Sequence, residues 1–155
     1  MSRILVVCLG NICRSPLAEG ILLHLKEKHK LSMVIDSAGT SNYHIGESPD
    51  ARTIANAKKH KVDLSPLRAR QFQQSDFDDF DRIFVMDKSN LRNVLNLARH
   101  DNDIAKVDLF LNILHPGENM EVPDPYFGGE EGFEHVFNLV WKTSEKLIEE
   151  FKTNQ

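Results

Sequence analysis

Cysteine is almost absent: the 155 residues hold two, Cys8 and Cys13, in one short stretch. That excludes a disulfide framework and gives no zinc-type spacing. The seven histidines do not fill the gap, because they are scattered, no two form a His-x-x-x-His pair, and no carboxylate cluster surrounds them. The chain is therefore expected to work without a metal or other cofactor. Positive charge is also short, with 19 Lys and Arg against 23 Asp and Glu and a formal net charge of -4. Such a balance gives no general attraction for nucleic acid or an anionic membrane surface. No apolar run approaches the roughly 20 residues of a membrane span, and the chain opens directly into strand-like Ser2-Arg3-Ile4-Leu5. A cytoplasmic protein without a targeting segment is expected. Neither a dinucleotide glycine pattern nor a Gly-Lys-Ser/Thr loop occurs, and there are no repeats, low-complexity tracts or linkers.

What is present is a globular composition, 41% hydrophobic and 27% charged, at a length that buries a core without staples. One domain over residues 1–155 is expected. Ile4 to Val7 reads as a buried parallel strand, and Ser15-Pro16 as a helix N-cap followed by the first helical residue. The residues between them, Cys8-Leu9-Gly10-Asn11-Ile12-Cys13-Arg14, must form a strand-to-helix loop. N–H groups of such a loop, continued by those of the helix start, converge on one point and suit a tetrahedral oxyanion. Arg14 adds a planar fork that grips two oxygens of one phosphoryl group. A free thiol is only about 3% ionised at pH 7, but helix ends and neighbouring cations lower a cysteine pKa to roughly 3.5–7.5. Cys8 is thereby expected as a thiolate nucleophile rather than a small buried hydrophobe.

Along the chain, Leu17, Ile21, Leu22 and Leu25 share one helical face, with Glu19, His24, Lys26 and Lys28 elsewhere. Met33-Val34-Ile35 reads as a second strand, and Ser48-Pro49 as the start of a helix that fades near His60. Ser75-Asp76 opens a short helix, Arg82–Met86 is a third strand, and Leu91, Val94, Leu95 and Ala98 mark a helix after Asp87. Lys106–Phe110 reads as a fourth strand, Val122–Gly129 as a loop bracketed by prolines and glycines, and Glu131–Phe151 as a strongly periodic helix. Strands alternating with helices imply an α/β fold: a four-stranded parallel sheet in the order 2-1-3-4 with helices on both faces. That order puts the loop after strand one at the switch point where ligands bind.

Cys, five residues, Arg, Ser resembles the phosphate loop of cysteine-based protein phosphatases, and Cys8–Pro16 is similar to that of the low molecular weight protein tyrosine phosphatases in particular. Asp36-Ser37-Ala38-Gly39-Thr40, Met86–Leu91 and Asp124-Pro125-Tyr126 resemble later segments of that family, so the likeness covers nearly the whole chain. Taken alone, Asp124 reads as a turn aspartate; the resemblance implies a general acid that protonates the leaving oxygen and then activates water. It also implies Asn11 as a brace linked to Ser15 and Ser37, with Ser15 easing the departure of the thiolate. Ile12, Tyr43, Tyr126 and Phe127 would wall the pocket, Phe127 standing where some relatives have a second tyrosine. Relatives carry histidine at the position of Leu67, which removes one member of the bracing network. A reversible Cys8–Cys13 bridge is implied as a shield under oxidation.

The activity implied is that of a protein-tyrosine-phosphatase, a phosphoric monoester hydrolase acting through a phosphocysteine. Its partners would be phosphotyrosine-containing proteins, with a tyrosine kinase as the opposing enzyme. The rivals are a phosphoarginine phosphatase, whose loop resembles this one with threonine in place of Ile12, and an arsenate reductase, which needs relay cysteines that this chain lacks. A phosphocysteine carrier is a third, against which Arg14 and Asp124 argue.

Overall fold

In the computed structural model, which describes residues 1–126 and 129–153, four parallel strands form one sheet in the order β2-β1-β3-β4. The strands are β1 (Ser2–Cys8), β2 (Met33–Gly39), β3 (Arg82–Val85) and β4 (Val107–Leu109). Helices α1 (Arg14–Lys28), α2 (Ala51–Lys59), α3 (Asp76–Asp79), α4 (Lys88–Leu95), α5 (Asp101–Ala105) and α6 (Glu130–Thr153) surround it, and a 3₁₀ turn follows β4 at Phe110–Asn112. The sheet order and the helices on both faces are those expected from the sequence.

β1 is central and buried on both sides, which is why its apolar run is unbroken. Ile4, Val6 and Cys8 face the α1 and α6 side, where Leu17, Ile21, Val136 and Val140 pack. Leu5 and Val7 face the other core, with Phe77, Phe80 and Val94. Both cores exclude solvent almost completely, so β1 is fixed in position and its C-terminal end is a rigid base for whatever follows. β1 pairs Cys8 with Gly39 of β2 and Val7 with Val85 of β3, which brings the loops after all three strands to one edge.

Four expectations need correction. α1 starts at Arg14 with Cys13 at its N-cap and no side-chain cap bond, so Ser15 is not a cap but lies inside the first turn. The reason is that its hydroxyl is engaged by Asn11 and Cys8 instead. α2 starts at Ala51, not at Ser48-Pro49, because Asp50 caps it by accepting from the Arg52 N–H at 2.8 Å. Glu19, placed off the core face by periodicity, is only 8% exposed. β4 is shorter than expected, since Phe110 already turns into the 3₁₀ segment.

Candidate active site

The loop from Cys8 to Arg14 owes its shape to bonds made on its outer side. The Cys8, Leu9 and Ile12 carbonyls accept from the N–H groups of Thr40, Ser41 and Asp50 at 2.9, 2.9 and 2.8 Å. In a trans peptide the following N–H points opposite to the carbonyl, and no peptide here is cis. The N–H groups of Leu9, Gly10 and Cys13 are thereby turned to the inside of the bend. Asn11 holds the left-handed conformation, φ 58°, that the bend needs and asparagine tolerates. Its N–H donates to the Cys8 Sγ at 3.3 Å.

The Asn11 side chain ties the loop to three other elements. Its Nδ2 donates to Ser15 Oγ at 2.8 Å and to Ser37 Oγ at 2.9 Å, while its Oδ1 accepts from the Arg70 N–H at 2.9 Å. Ser15 Oγ lies 3.0 Å from Cys8 Sγ, and Ser37 Oγ donates to the Glu19 carboxylate. The brace therefore closes through Glu19 and a main-chain N–H, with no contribution needed at Leu67. Burial, with the nearby Asp36 charge, pushes the Glu19 carboxyl up to about 7 against the opposing Ser37 bond. Gly39 completes the seat of the loop: a Cβ there would lie 2.8 Å from the Leu9 carbonyl oxygen and 3.0 Å from the Asn11 nitrogen.

Arg14 is 3% exposed and fixed at one corner. Its Nη1 donates to Asp87 Oδ2 at 2.7 Å and to the Val122 carbonyl at 3.0 Å, while Nη2 lies 3.7 Å from Asp124 Oδ2. Burial favours its neutral form, but the Cys8 sulfur and Asp87 outweigh that and hold the guanidinium above its ordinary range. Cys13 differs: burial pushes its thiol up to about 12 despite an opposing pull from the Thr53 side chain.

These groups face a cavity of about 200 Å³. Cys8, Cys13 and Arg14 form its base, Leu9, Gly10, Ile12, Tyr43, His44 and Tyr126 its walls, and Asp124 its rim. Tyr43 and Tyr126, which the family resemblance implied as pocket walls, both line this cavity, whereas Phe127 lies outside the described residues. Asp124 accepts from the Tyr126 N–H at 3.0 Å, and the Arg52 guanidinium sits 5.3 Å from the Tyr126 ring. Among the described residues, no group of three or more His, Cys, Asp or Glu side chains is placed to hold a metal ion. Nor is any helix among them long and apolar enough to cross a membrane.

Five contributors escaped the sequence: Asp87, Glu19, Gly39, His44 and Arg52. Asp87 is 73 positions from Arg14, so no spacing rule links them. Glu19 had a signal, since it follows Ser15 by four residues on one helix and so shares its face. His44 approaches the loop where Gly10 lacks a side chain and bonds Glu47 at 2.9 Å.

An open parallel sheet with a cysteine and a buried arginine on its switch-point loop has the build of a cysteine-based phosphatase. The sequence model of the family "Low molecular weight phosphotyrosine protein phosphatase" matches residues 3–155, and the chain belongs to that family. It is 46% identical over 134 residues to the low molecular weight phosphotyrosine protein phosphatase of Schizosaccharomyces pombe, covering 84% of this chain and 85% of that one. Among solved structures, a protein tyrosine phosphatase from Entamoeba histolytica with Hepes in the active site superimposes with a TM-score of 0.91, 35% identity and 99% coverage of both chains. The Drosophila arginine phosphatase does so with a TM-score of 0.89, 33% identity and complete coverage of both.

Proposed function

We propose that this protein hydrolyses phosphotyrosine in proteins, and small aryl phosphates, through a phosphocysteine intermediate. The observation that carries this is the convergence of Cys8 Sγ, the Arg14 guanidinium and the Asp124 carboxyl on one cavity. The Cys8 thiolate attacks phosphorus from the base of the cavity, forming the S–P bond as the bond to the leaving oxygen breaks. Asp124 gives that oxygen its proton, which lets a phenol depart rather than a phenoxide. In the second step the Asp124 carboxylate takes a proton from water, water oxygen bonds to phosphorus, and the S–P bond breaks. Ser15, at 3.0 Å, donates to the returning thiolate. Arg14 and the inward N–H groups of Leu9, Gly10 and Cys13 hold the phosphoryl oxygens throughout, and the charge they meet is stabilised by dipoles already in place.

Ile12, Tyr43 and Tyr126 line the cavity with flat or branched apolar surface suited to an aromatic ring. This supports phosphotyrosine over phosphoarginine. With only two cysteines in the chain, no thiol relay supports arsenate reduction. Residues 1–155 act as one phosphatase domain, opposed by a tyrosine kinase. The need for a reduced Cys8 supports a cytoplasmic setting.

The test is hydrolysis of an aryl phosphate in chelator, then of phosphotyrosine, phosphoserine and phosphoarginine. Turnover of the first two, none by Cys8→Ser and about 10²-fold slower turnover by Asp124→Asn supports the reading. Preference for phosphoarginine would overturn the substrate assignment, and retention of one phosphoryl group without turnover would make the chain a carrier.

A further inference from the structure

A second groove opens directly beside the catalytic cavity, and Leu9 and Tyr43 line both. It is a surface groove of about 510 Å³, open to solvent, between the loop after β2, which supplies Thr40, Ser41 and Asn42, and the end of α4 with the residues just beyond it, which supply Asn93, Asn96 and Leu97. Gln71 completes the wall.

Its chemistry is unlike that of the cavity. Apart from the Tyr43 phenol, no lining side chain ionises, so a phosphoryl dianion finds no counter-charge there. Four carboxamides line it instead, from Asn42, Gln71, Asn93 and Asn96. Each carboxamide both donates and accepts, which matches the alternating N–H and C=O groups of a peptide main chain. Apolar contact is available as well, because Leu9, Tyr43 and Leu97 are exposed by 43, 76 and 41%.

We propose that this groove binds the polypeptide on one side of the phosphotyrosine, as an extended stretch of uncharged residues. The inference rests on the reading of the cavity as a phosphotyrosine site. With the aromatic ring between Ile12 and Tyr43, the adjoining main chain crosses the Leu9 rim and lies against the carboxamides. An acidic flanking residue would be desolvated there with no cation to meet it, so the groove selects against Asp and Glu on that side.

The experiment compares kcat and KM for an aryl phosphate with those for phosphotyrosine peptides carrying five neutral residues on the N-terminal side only, or on the C-terminal side only. The same peptides with Asp and Glu in those positions complete the set. Asn93 and Asn96 are exposed, so Asn93→Ala/Asn96→Ala leaves the fold and the loop chemistry in place.

One of the two neutral peptides is expected to exceed the aryl phosphate in kcat/KM by about tenfold, mainly through KM, with its acidic counterpart losing the gain. The double variant should lose about fivefold on that peptide while keeping its aryl phosphate rate within about twofold. Equal rates for flanked and unflanked substrates, or an equal loss on both in the variant, would overturn the groove and leave the phosphatase intact. Failure of the unaltered protein on every aryl phosphate would overturn the phosphatase reading itself, and the groove with it.

Discussion

Asp87 holds Arg14 with one carboxylate oxygen, at 2.7 Å from Nη1, and caps α4 with the other, at 2.8 Å from the Asn90 N–H. One side chain thus couples the orientation of the guanidinium to the start of a helix on a different strand's loop. Asp87→Ala strips a buried cation of its partner and removes a cap. The expected cost is about 2–4 kcal/mol of stability, with kcat/KM for an aryl phosphate falling about 10²-fold. Asp87→Asn caps equally well and should recover about 1 kcal/mol of the loss without recovering the rate. Urea unfolding and steady-state kinetics on both variants check this; full activity in Asp87→Ala would remove the positioning role.

Gly39 is as close to the loop as backbone allows. A methyl at 2.8 Å from the Leu9 oxygen forces the loop off its seat on β2, because that oxygen belongs to backbone and cannot swing away. Gly39→Ala should lower kcat by about 10²-fold or more and stability by about 1–3 kcal/mol. Retained kcat would show that the loop can shift without consequence.

Glu19 makes stability depend on pH. Its carboxyl rises from an ordinary 4.5 to about 7 on folding, so between those values the folded chain holds a proton that the unfolded chain has lost. The associated stability is complete below about 4.5 and is lost as pH rises through about 7, a decline of about 3 kcal/mol. Glu19→Gln still accepts from Ser37 and should remove that decline, matching the unaltered protein near pH 5 and exceeding it at pH 8. Parallel curves for the two proteins, read from Tm at each pH, would sink the assignment.

The two cysteines should differ in reactivity although both are buried. With its thiol pushed up to about 12, Cys13 is ionised in only about one molecule in 10⁴ at pH 8. Iodoacetate at that pH is expected to add a single carboxymethyl group, abolish turnover, and leave Cys8→Ser unmodified by mass. A doubly modified protein, or labelling of Cys8→Ser, would contradict this.

The parts of the fold legible in the sequence were those whose signal is local and long. β1 carries an unbroken apolar run from Ile4 to Cys8, and α6 repeats its apolar positions from Phe133 to Phe151, so each announces its type without reference to the rest. α5 did not, because Asp101–Ala105 is five residues with its buried member an aspartate, Asp103, held by Arg99 at 2.9 Å. The Ser-Pro pairs misled for a physical reason. At Ser15 the hydroxyl serves sulfur rather than the helix end, and at Ser48 a better cap, Asp50, stands two residues on. In the site, Cys8, Arg14 and Asp124 could be found from one motif and its resemblance, while Asp87, Gly39 and Glu19 act only through tertiary approach.

Two of the bonds that fix the catalytic loop come from main-chain atoms: the Arg70 N–H on Asn11, which any residue but proline could supply, and the Val122 carbonyl on Arg14. Proline apart, such bonds do not depend on which side chain the residue carries. What the Asn11 brace takes from the segment around Leu67 is therefore its main-chain path, while the Leu67 side chain packs on the core and the Arg70 guanidinium pairs with Asp36 and Asp76. The chain is constrained at these points by its trace rather than its spelling, which leaves the surface around the mouth open to divergence while the chemistry at its base stays fixed.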